Sequence, residues 1–566
     1  MLLGAARSSR VSLVYSSQSD RPFSLAQSSA GVTDDNLSEV STIVPDLSGK
    51  GPMRSGGFAA TISGNIVASL ARVAVVALVA LVLPAYLTHH LPVQTYAAWV
   101  LILQLGAYVS YLDLGIQTGV SKFVAEYDAR GDEVGAGRYA SAGFALMLLG
   151  GMLGLGLTLV LAWQVPRLFG SMPANLYHDV RISVMLVGSS LSFGLVCAVY
   201  SAVFLGLQRY WIPMTISIVN RASFTAIVLA VVALHGNLTA MGISLALVNV
   251  ATGLLQVVAW SKKASHIRIS PRLVDFRILK TMARYCSMQS TWIFGMVCVT
   301  GLDVTIVGHY DYVQTAYYSI ATLPTSFVLS IIGSMMSPLM PASSAMSTQY
   351  SASEMGDFLV KTTRYTTLML LLTGLPLIVC GFPILRLWVG PVYALHTLKY
   401  LRILVFANVI RNLCAPYATM VCATGRQGAG TAAVGSEALV NLSSSIYLAS
   451  RFGAIGVALG TTLGSFVSVS LHFAMTMHFT HQTLTISRSQ LFLKGLLQPA
   501  MIAIPSLVLL PLWWSPSRMA LSPQLAIVWG LSTLVFAWFG GLSQKERNDL
   551  VRLSRRKPMS PSSPEQ

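Results

Sequence analysis

The sequence predicts an all-α polytopic membrane protein with about fourteen transmembrane helices. Three observations carry that expectation. Of 566 residues, 54% are hydrophobic and only 10% are charged, against about 25% charged in a soluble protein. Mean hydropathy is +0.65. Apolar runs follow one another at short intervals, each near the ~20 residues that a ~30 Å hydrocarbon core requires. A soluble enzyme, a disordered scaffold and a secreted disulfide module are excluded.

Residues 1–57 are rich in Ser, Gly and Asp and hold no apolar run long enough to span. They read as a disordered cytoplasmic tail. Met1-Leu2-Leu3 lacks the charged region that opens a signal peptide. Met53, just ahead of the first span, stands as an alternative start. Spans are placed near 63–86, 96–116, 139–163, 182–206, 212–234, 238–260, 285–308, 317–340, 364–387, 401–423, 429–450, 453–476, 491–513 and 521–541.

A basic stretch, 262–284, divides the first twelve spans into two groups of six. The expected domains are therefore an N-terminal six-helix bundle (58–261), a cytoplasmic linker (262–284) and a C-terminal six-helix bundle (285–477). Two further helices (478–541) and a basic cytoplasmic tail (542–566) follow. Two weak internal similarities support a repeat, at nearly equal offsets. Gly242-Ile243-Ser244-Leu245-Ala246 resembles Gly456-Val457-Ala458-Leu459-Gly460. Gly206-Leu207-Gln208-Arg209 matches Thr424-Gly425-Arg426-Gln427. Parallel repeats are a known transporter plan.

The formal charge is +17. No run alternates basic and aromatic residues as a nucleic-acid surface would. With the N-terminus inside, the inner loops carry sixteen Lys and Arg and the outer connections seven. That bias predicts both termini inside. Trp99, Trp163, Trp211, Trp260, Trp388, Trp513 and Trp514 fall near span ends, as interfacial aromatics do. The tyrosines at 310, 312, 317 and 318 read as part of the same belt, with stacking on sugar rings as the alternative. Six cysteines lie in or beside apolar runs with no CxxC, so packed thiols are expected.

Chemistry is read from what is missing and from what is out of place. There is no Walker A motif, HExxH, GxSxG or ligand-spaced His/Cys cluster. Charged side chains at mid-bilayer cost about 2.5–3.5 kcal/mol on insertion scales and are functional or paired. Arg72 lies about ten residues into span 1, and Asn65 two helical turns before it on the same face. Arg221, beside Asn220, lies about ten residues into span 5. A guanidinium matches phosphate oxygens bidentately, so these four suit an anionic headgroup. Arg411 in span 10 and Glu437 in span 11 share a depth and read as an ion pair. Asp303, in span 7, has no basic neighbour in its own span, which suits H⁺ or Na⁺ binding or structural hydrogen bonding.

The stretch Tyr111-Leu112-Asp113-Leu114-Gly115-Ile116-Gln117-Thr118-Gly119-Val120-Ser121-Lys122 through Tyr127 and Gly131-Asp132 resembles the span 2 to span 3 junction of polysaccharide flippases. These are Wzx-type members of the MOP superfamily, which also holds MATE exporters and lipid II flippases. Further matches are Leu302 through Gly308 with Tyr318-Ser319-Ile320-Ala321, then Ile384 through Pro391, then Ala423-Thr424-Gly425-Arg426. Glu437 through Leu442 and Gly453 through Thr461 complete the series. Each motif is degenerate, and their order along about residues 58–477 is the specific part. The long N-terminal tail departs from the family.

The resemblance implies two six-helix bundles around a central cavity, MATE-like, in a bacterial cytoplasmic membrane. The implied cargo is an oligosaccharide on a polyprenyl pyrophosphate carrier, moved to the outer leaflet for O-antigen, capsule or exopolysaccharide. Arg72 and Arg221 are the implied pyrophosphate ligands, by depth rather than by motif. Asp303 and Glu437 are implied ion carriers driven by an H⁺ or Na⁺ gradient, with no other cofactor. A polysaccharide polymerase and a chain-length regulator are implied partners. The alternatives are a MATE-type drug or cation antiporter, whose cavity calls for acidic groups, and a membrane glycosyltransferase or polymerase, which calls for a large catalytic loop.

Overall fold

The computed structural model describes residues 75–481, 484–509 and 523–541, with a few isolated positions beyond. All belong to the unit Ser63–Gln566. The expected tails, Asn65, Arg72 and the first part of span 1 lie outside the described residues.

The described residues are helical, with no strand among them. The chain runs α1 (Val75–His90), α2 (Val93–Ser110), α3 (Ile116–Ala129), α4 (Glu133–Leu168), α5 (Tyr177–Gly206), α6 (Trp211–Ala233) and α7 (Leu238–Lys263). After the 264–275 connection come α8 (Phe276–Met296), α9 (Asp303–Tyr310), α10 (Gln314–Met346), α11 (Ala352–Val379), α12 (Gly381–Val389), α13 (Pro391–Asn412), α14 (Ala415–Ala423), α15 (Gln427–Phe452) and α16 (Ala454–Leu471). Two C-terminal helices follow, α17 (Arg488–Val508) and α18 (Pro523–Phe536).

Twelve helical segments among the described residues are long and apolar enough to cross a membrane. Of the fourteen expected spans, the other two correspond to α1 and α15. The described part of α1 is shorter than a full span. α15 has the length but carries Ser436, Glu437, Asn441, Ser443, Ser444, Ser445 and Arg451, which lower its hydropathy. Several helices outrun their apolar cores. At ~1.5 Å per residue, the 36 residues of α4 reach about 54 Å, well beyond the ~30 Å core.

Helix pairings in the first half recur in the second. α2–α5, α5–α7, α6–α7 and α4–α5 are matched by α10–α13, α13–α16, α15–α16 and α11–α13. The sequence similarity at Arg209 and Arg426 has a structural basis. Gln208 and Gly425 both have positive φ, 57° and 73°. The next amide then bonds five residues back, Arg209 to Phe204 and Arg426 to Val421, the left-handed helix ending of a Schellman motif.

The tightest pairing, α15 with α16, rests on small residues. A Cβ on Gly456 would collide with the Leu448 backbone, and one on Gly460 with Ser445. Close backbone approach drives packing where lipid removes the hydrophobic incentive. Gly460→Ala is expected to destabilise the protein by about 1–3 kcal/mol, seen as a lower midpoint in thermal unfolding in detergent. An unchanged midpoint would show that the helices can separate freely.

Some interfacial expectations are corrected. Trp99 is 1% exposed and stacks on Phe224, so it is core. Tyr312, Tyr317 and Tyr318 are buried, and only Tyr310 is exposed. The Tyr312 and Tyr318 hydroxyls find partners inside the helix array, which suits a buried tyrosine better than a headgroup belt.

Candidate functional site

Several of the described membrane helices are interrupted, and three of the interruptions, in spans 2, 7 and 10, lie beside polar residues. The second span breaks between α2 and α3. Leu114 and Gly115 have φ of 48° and 80°, a left-handed turn that glycine permits and leucine tolerates at a cost. Asp113 accepts the Gln117 amide at 3.2 Å, and Ser290 donates to the Leu114 carbonyl at 3.3 Å. Span 7 passes through a π turn at Val297–Gly301 before α9 begins at Asp303. Span 10 breaks after Asn412, where Pro416 in the first turn of α14 has no N–H for the preceding helix.

The π turn leads into Asp303, which is 6% exposed. Its Oδ2 accepts from Tyr318 Oη and Thr461 Oγ1, both at 3.3 Å. Its Oδ1 is buried with no hydrogen bond. The network continues through helices α15 and α16. Thr461 also donates to the Val457 carbonyl. Ser445 donates to that carbonyl and, at 3.2 Å, to Asn441 Oδ1. Asn441 Nδ2 donates to Val299 O in the π turn at 3.0 Å.

Arg411 and Glu437 form the expected ion pair. Arg411 Nε lies 2.5 Å from Glu437 Oε1, with side chains 13% and 7% exposed. Asn408 Oδ1 accepts weakly from Nη1 at 3.4 Å, and Nη2 is buried without a partner. Arg411 also lies near enough for its charge to act on Asp303. Arg411 is paired with Glu437 alone, no hydrogen bond or ion pair joins it to Asp303 among the described residues, and a buried carboxylate without a paired cation is expensive. The cluster has the electrostatic shape of a site short of one positive charge.

Arg221 and Asn220 stand apart from this cluster. Asn220 Nδ2 donates to Thr252 Oγ1 on α7 at 2.7 Å. Arg221, mid-α6, is exposed and its side chain makes no hydrogen bond or ion pair among the described residues. Among the described residues, no hydrogen bond joins the α6 pair to the Asp303 network. Asn65 and Arg72 lie outside the described residues. No group of His, Cys, Asp and Glu among the described residues could hold a metal ion.

Sequence reasoning missed Tyr318, Thr461, Asn441 and Ser445. One signal was available. Glu437, Asn441 and Ser445 recur every four residues, which places them on one helix face. Thr461 and Tyr318 carried none, because a small hydroxyl and a tyrosine near a span end are commonplace.

The two halves are tied together away from the 264–275 connection. Tyr312 Oη donates to Gln94 O at 2.7 Å, and Trp388 Nε1 donates to Leu81 O at 2.7 Å. His309 Nδ1 lies 2.5 Å from Leu168 O. Nearer the middle, Gln104 Nε2 donates to Gly301 O at 2.7 Å, and Tyr108 meets Thr305 at 2.5 Å. The last two link the helix that breaks at 111–115 to the turn that holds Asp303.

Known proteins were compared with this arrangement. No family model and no curated protein sequence matches the chain. Solved structures do. The chain is similar to the lipid II flippase MurJ in an inward closed conformation, with a TM-score of 0.65 at 15% identity, over 86% of this chain and 100% of that one. It is similar to a multidrug resistance MATE family transporter of the MOP superfamily, inward-facing, with a TM-score of 0.61 at 14% identity, over 74% and 99%. A MOP superfamily transporter from Pyrococcus furiosus, described as having a binding pocket of reversed polarity, gives 0.52 at 16% identity, over 75% and 96%. The fold is that of the MATE and MurJ transporters. It is a multi-pass membrane fold, and its solved neighbours are transporters and flippases rather than enzymes.

Proposed function

We propose that this protein is a Wzx-type flippase. It translocates a polyprenyl-pyrophosphate-linked oligosaccharide from the inner to the outer leaflet of a bacterial cytoplasmic membrane for surface polysaccharide synthesis. The observation that carries the reading is Arg221: a guanidinium at mid-helix, exposed and without a partner among the described residues. Such a charge in a membrane helix calls for an anion, and a pyrophosphate supplies oxygens spaced for bidentate contact. The similarity to a lipid II flippase over 86% of this chain supports a lipid-linked cargo. Asn220, Asn65 and Arg72 join Arg221 in this assignment.

The physical need is plain. Burying unpaired sugar hydroxyls in hydrocarbon costs several kcal/mol each. A polar path between two six-helix bundles replaces their hydration while the polyprenyl tail stays in lipid. The bundles are 58–261 and 285–477, joined by the basic 262–284 linker, with both termini inside. Contacts at the far end from that linker then correspond to an outer gate that is shut. Alternating access rocks one bundle against the other. A polymerase and a chain-length regulator would act next on the product.

Coupling is assigned to the charge-deficient cluster. A proton or Na⁺ on Asp303 supplies the missing positive charge, and Arg411–Glu437 serves as the gate that re-pairs. Asp303→Asn keeps the shape and removes the demand for a cation. It is expected to fold normally and to move cargo in proteoliposomes with no response to an imposed H⁺ or Na⁺ gradient. A gradient response equal to wild type would refute the assignment. The competing reading, a drug or cation antiporter, predicts that lipid-linked oligosaccharide is not moved at all in the same vesicles.

A further inference from the structure

The first half of the molecule contains a cavity of about 190 Å³ beside the break in span 2. At ~30 Å³ per water in the liquid, that is room for about six waters, or for a single sugar ring. Ser110 and Gln117 reach it from either side of the break, and Asn249 and Thr252 from α7. Leu191 and Leu195 of α5 form an apolar wall. None of the lining residues is ionisable.

Two of the polar groups there, Ser110 and Asn249, keep hydrogen-bonding capacity that Thr252 has spent on Val248 O and Asn220. Helical hydroxyls in this protein bond back to their own helix, as Ser141, Thr158 and Thr252 do to carbonyls four residues earlier. Ser110 Oγ makes no hydrogen bond among the described residues. Asn249 donates Nδ2 to Ser190 at 3.2 Å, and its Oδ1 makes no hydrogen bond among the described residues. Discontinuous membrane helices are where transporters build substrate sites, because irregular backbone is tolerated only where it lines a cavity.

We infer that this cavity binds one uncharged sugar ring of the cargo. The inference rests on the lipid-linked oligosaccharide reading and adds the recognition of its glycan. Amides and hydroxyls both give and accept hydrogen bonds, which is what ring hydroxyls require. Leu191 and Leu195 offer a surface for the C–H face of the ring, the usual mix of apolar wall and a few placed polar groups. The absence of any charge among the lining residues selects a neutral ring over a uronate, and leaves the pyrophosphate to the arginines. Occupancy of this cavity bears on α2, which carries Gln104 and Tyr108 and through them the turn that holds Asp303.

The test is equilibrium binding to the full-length protein in lipid nanodiscs. Two probes are used: polyprenyl pyrophosphate alone, and the same carrier bearing the cell's own oligosaccharide. Wild type is expected to hold the glycan-bearing lipid about tenfold more tightly, or about 1.4 kcal/mol. The double variant Gln117→Met with Asn249→Leu is expected to bind the bare carrier as wild type does and to lose the tenfold preference. Asn249→Leu alone strands no donor, since Ser190 Oγ already donates to Val187 O. It serves if the double variant fails to hold the bare carrier, and should lose much of the preference. A preference retained in the variants overturns the inference. Equal binding of both lipids by wild type overturns it while the carrier reading stands. Binding of neither lipid overturns the carrier reading itself.

Discussion

Arg411→Ala is expected to cut the yield of folded protein more than any other single charge removal. The change leaves Glu437 buried without its ion-pair partner and removes the cation whose charge acts on Asp303. Breaking a buried pair from one side costs about 3–5 kcal/mol, a large part of the ~5–15 kcal/mol that holds a protein folded. Glu437→Ala is milder, because Arg411 keeps a carboxylate within reach of its charge, Asp303. Adding Glu437→Ala to Arg411→Ala removes one of the two stranded anions and should recover part of the lost yield. Fluorescence-detected size-exclusion of tagged protein measures all three. Arg411→Ala at wild-type yield, or a double variant worse than Arg411→Ala, would contradict the ion-pair account.

Arg221→Ala is expected to leave folding intact and to reduce transport by about ten- to a hundredfold. The first half follows from geometry: the side chain is exposed and bonds to nothing among the described residues. The second follows from the ~1.5–3 kcal/mol that a hydrogen bond to a charged group contributes. Arg221→Lys should rescue partly, since the charge survives and the two-pronged fork does not. The same series at Arg72 is expected to behave alike. Loss of folded protein in Arg221→Ala, or transport at the wild-type rate, would remove the residue from the site.

The sequence was informative where physics made a residue costly. Charges in apolar helices stand out because the membrane penalises them, so Arg221, Asp303, Arg411 and Glu437 were legible one by one. The pairing of Arg411 with Glu437 followed from equal depth. That the charge of the same guanidinium acts on Asp303 was not legible, since it depends on how span 7 turns at 297–301. Hydroxyls are cheap in a membrane helix because they bond back to its carbonyls. Thr461 and Ser445 therefore looked ordinary until their partners were visible. Trp99 misled because position within a span was taken for depth, whereas its neighbour Phe224 decides its burial. The break at 111–115 was present in the sequence as Asp113, Leu114 and Gly115, but only the positive φ angles reveal that the span is interrupted there.

The central claim is that the cargo is a lipid-linked oligosaccharide and that this protein carries it across. The direct measurement is made in cells lacking the protein. Polyprenyl-pyrophosphate-linked oligosaccharides are extracted, identified by mass, and assigned to a leaflet by their access to an impermeant sugar-modifying reagent. The account predicts complete repeat units accumulating on the cytoplasmic face, with surface polysaccharide lost and both restored by the wild-type gene but not by Arg221→Ala. Normal lipid-linked pools and normal surface polymer, in cells carrying no other such flippase, would contradict it and turn attention to drug or cation export.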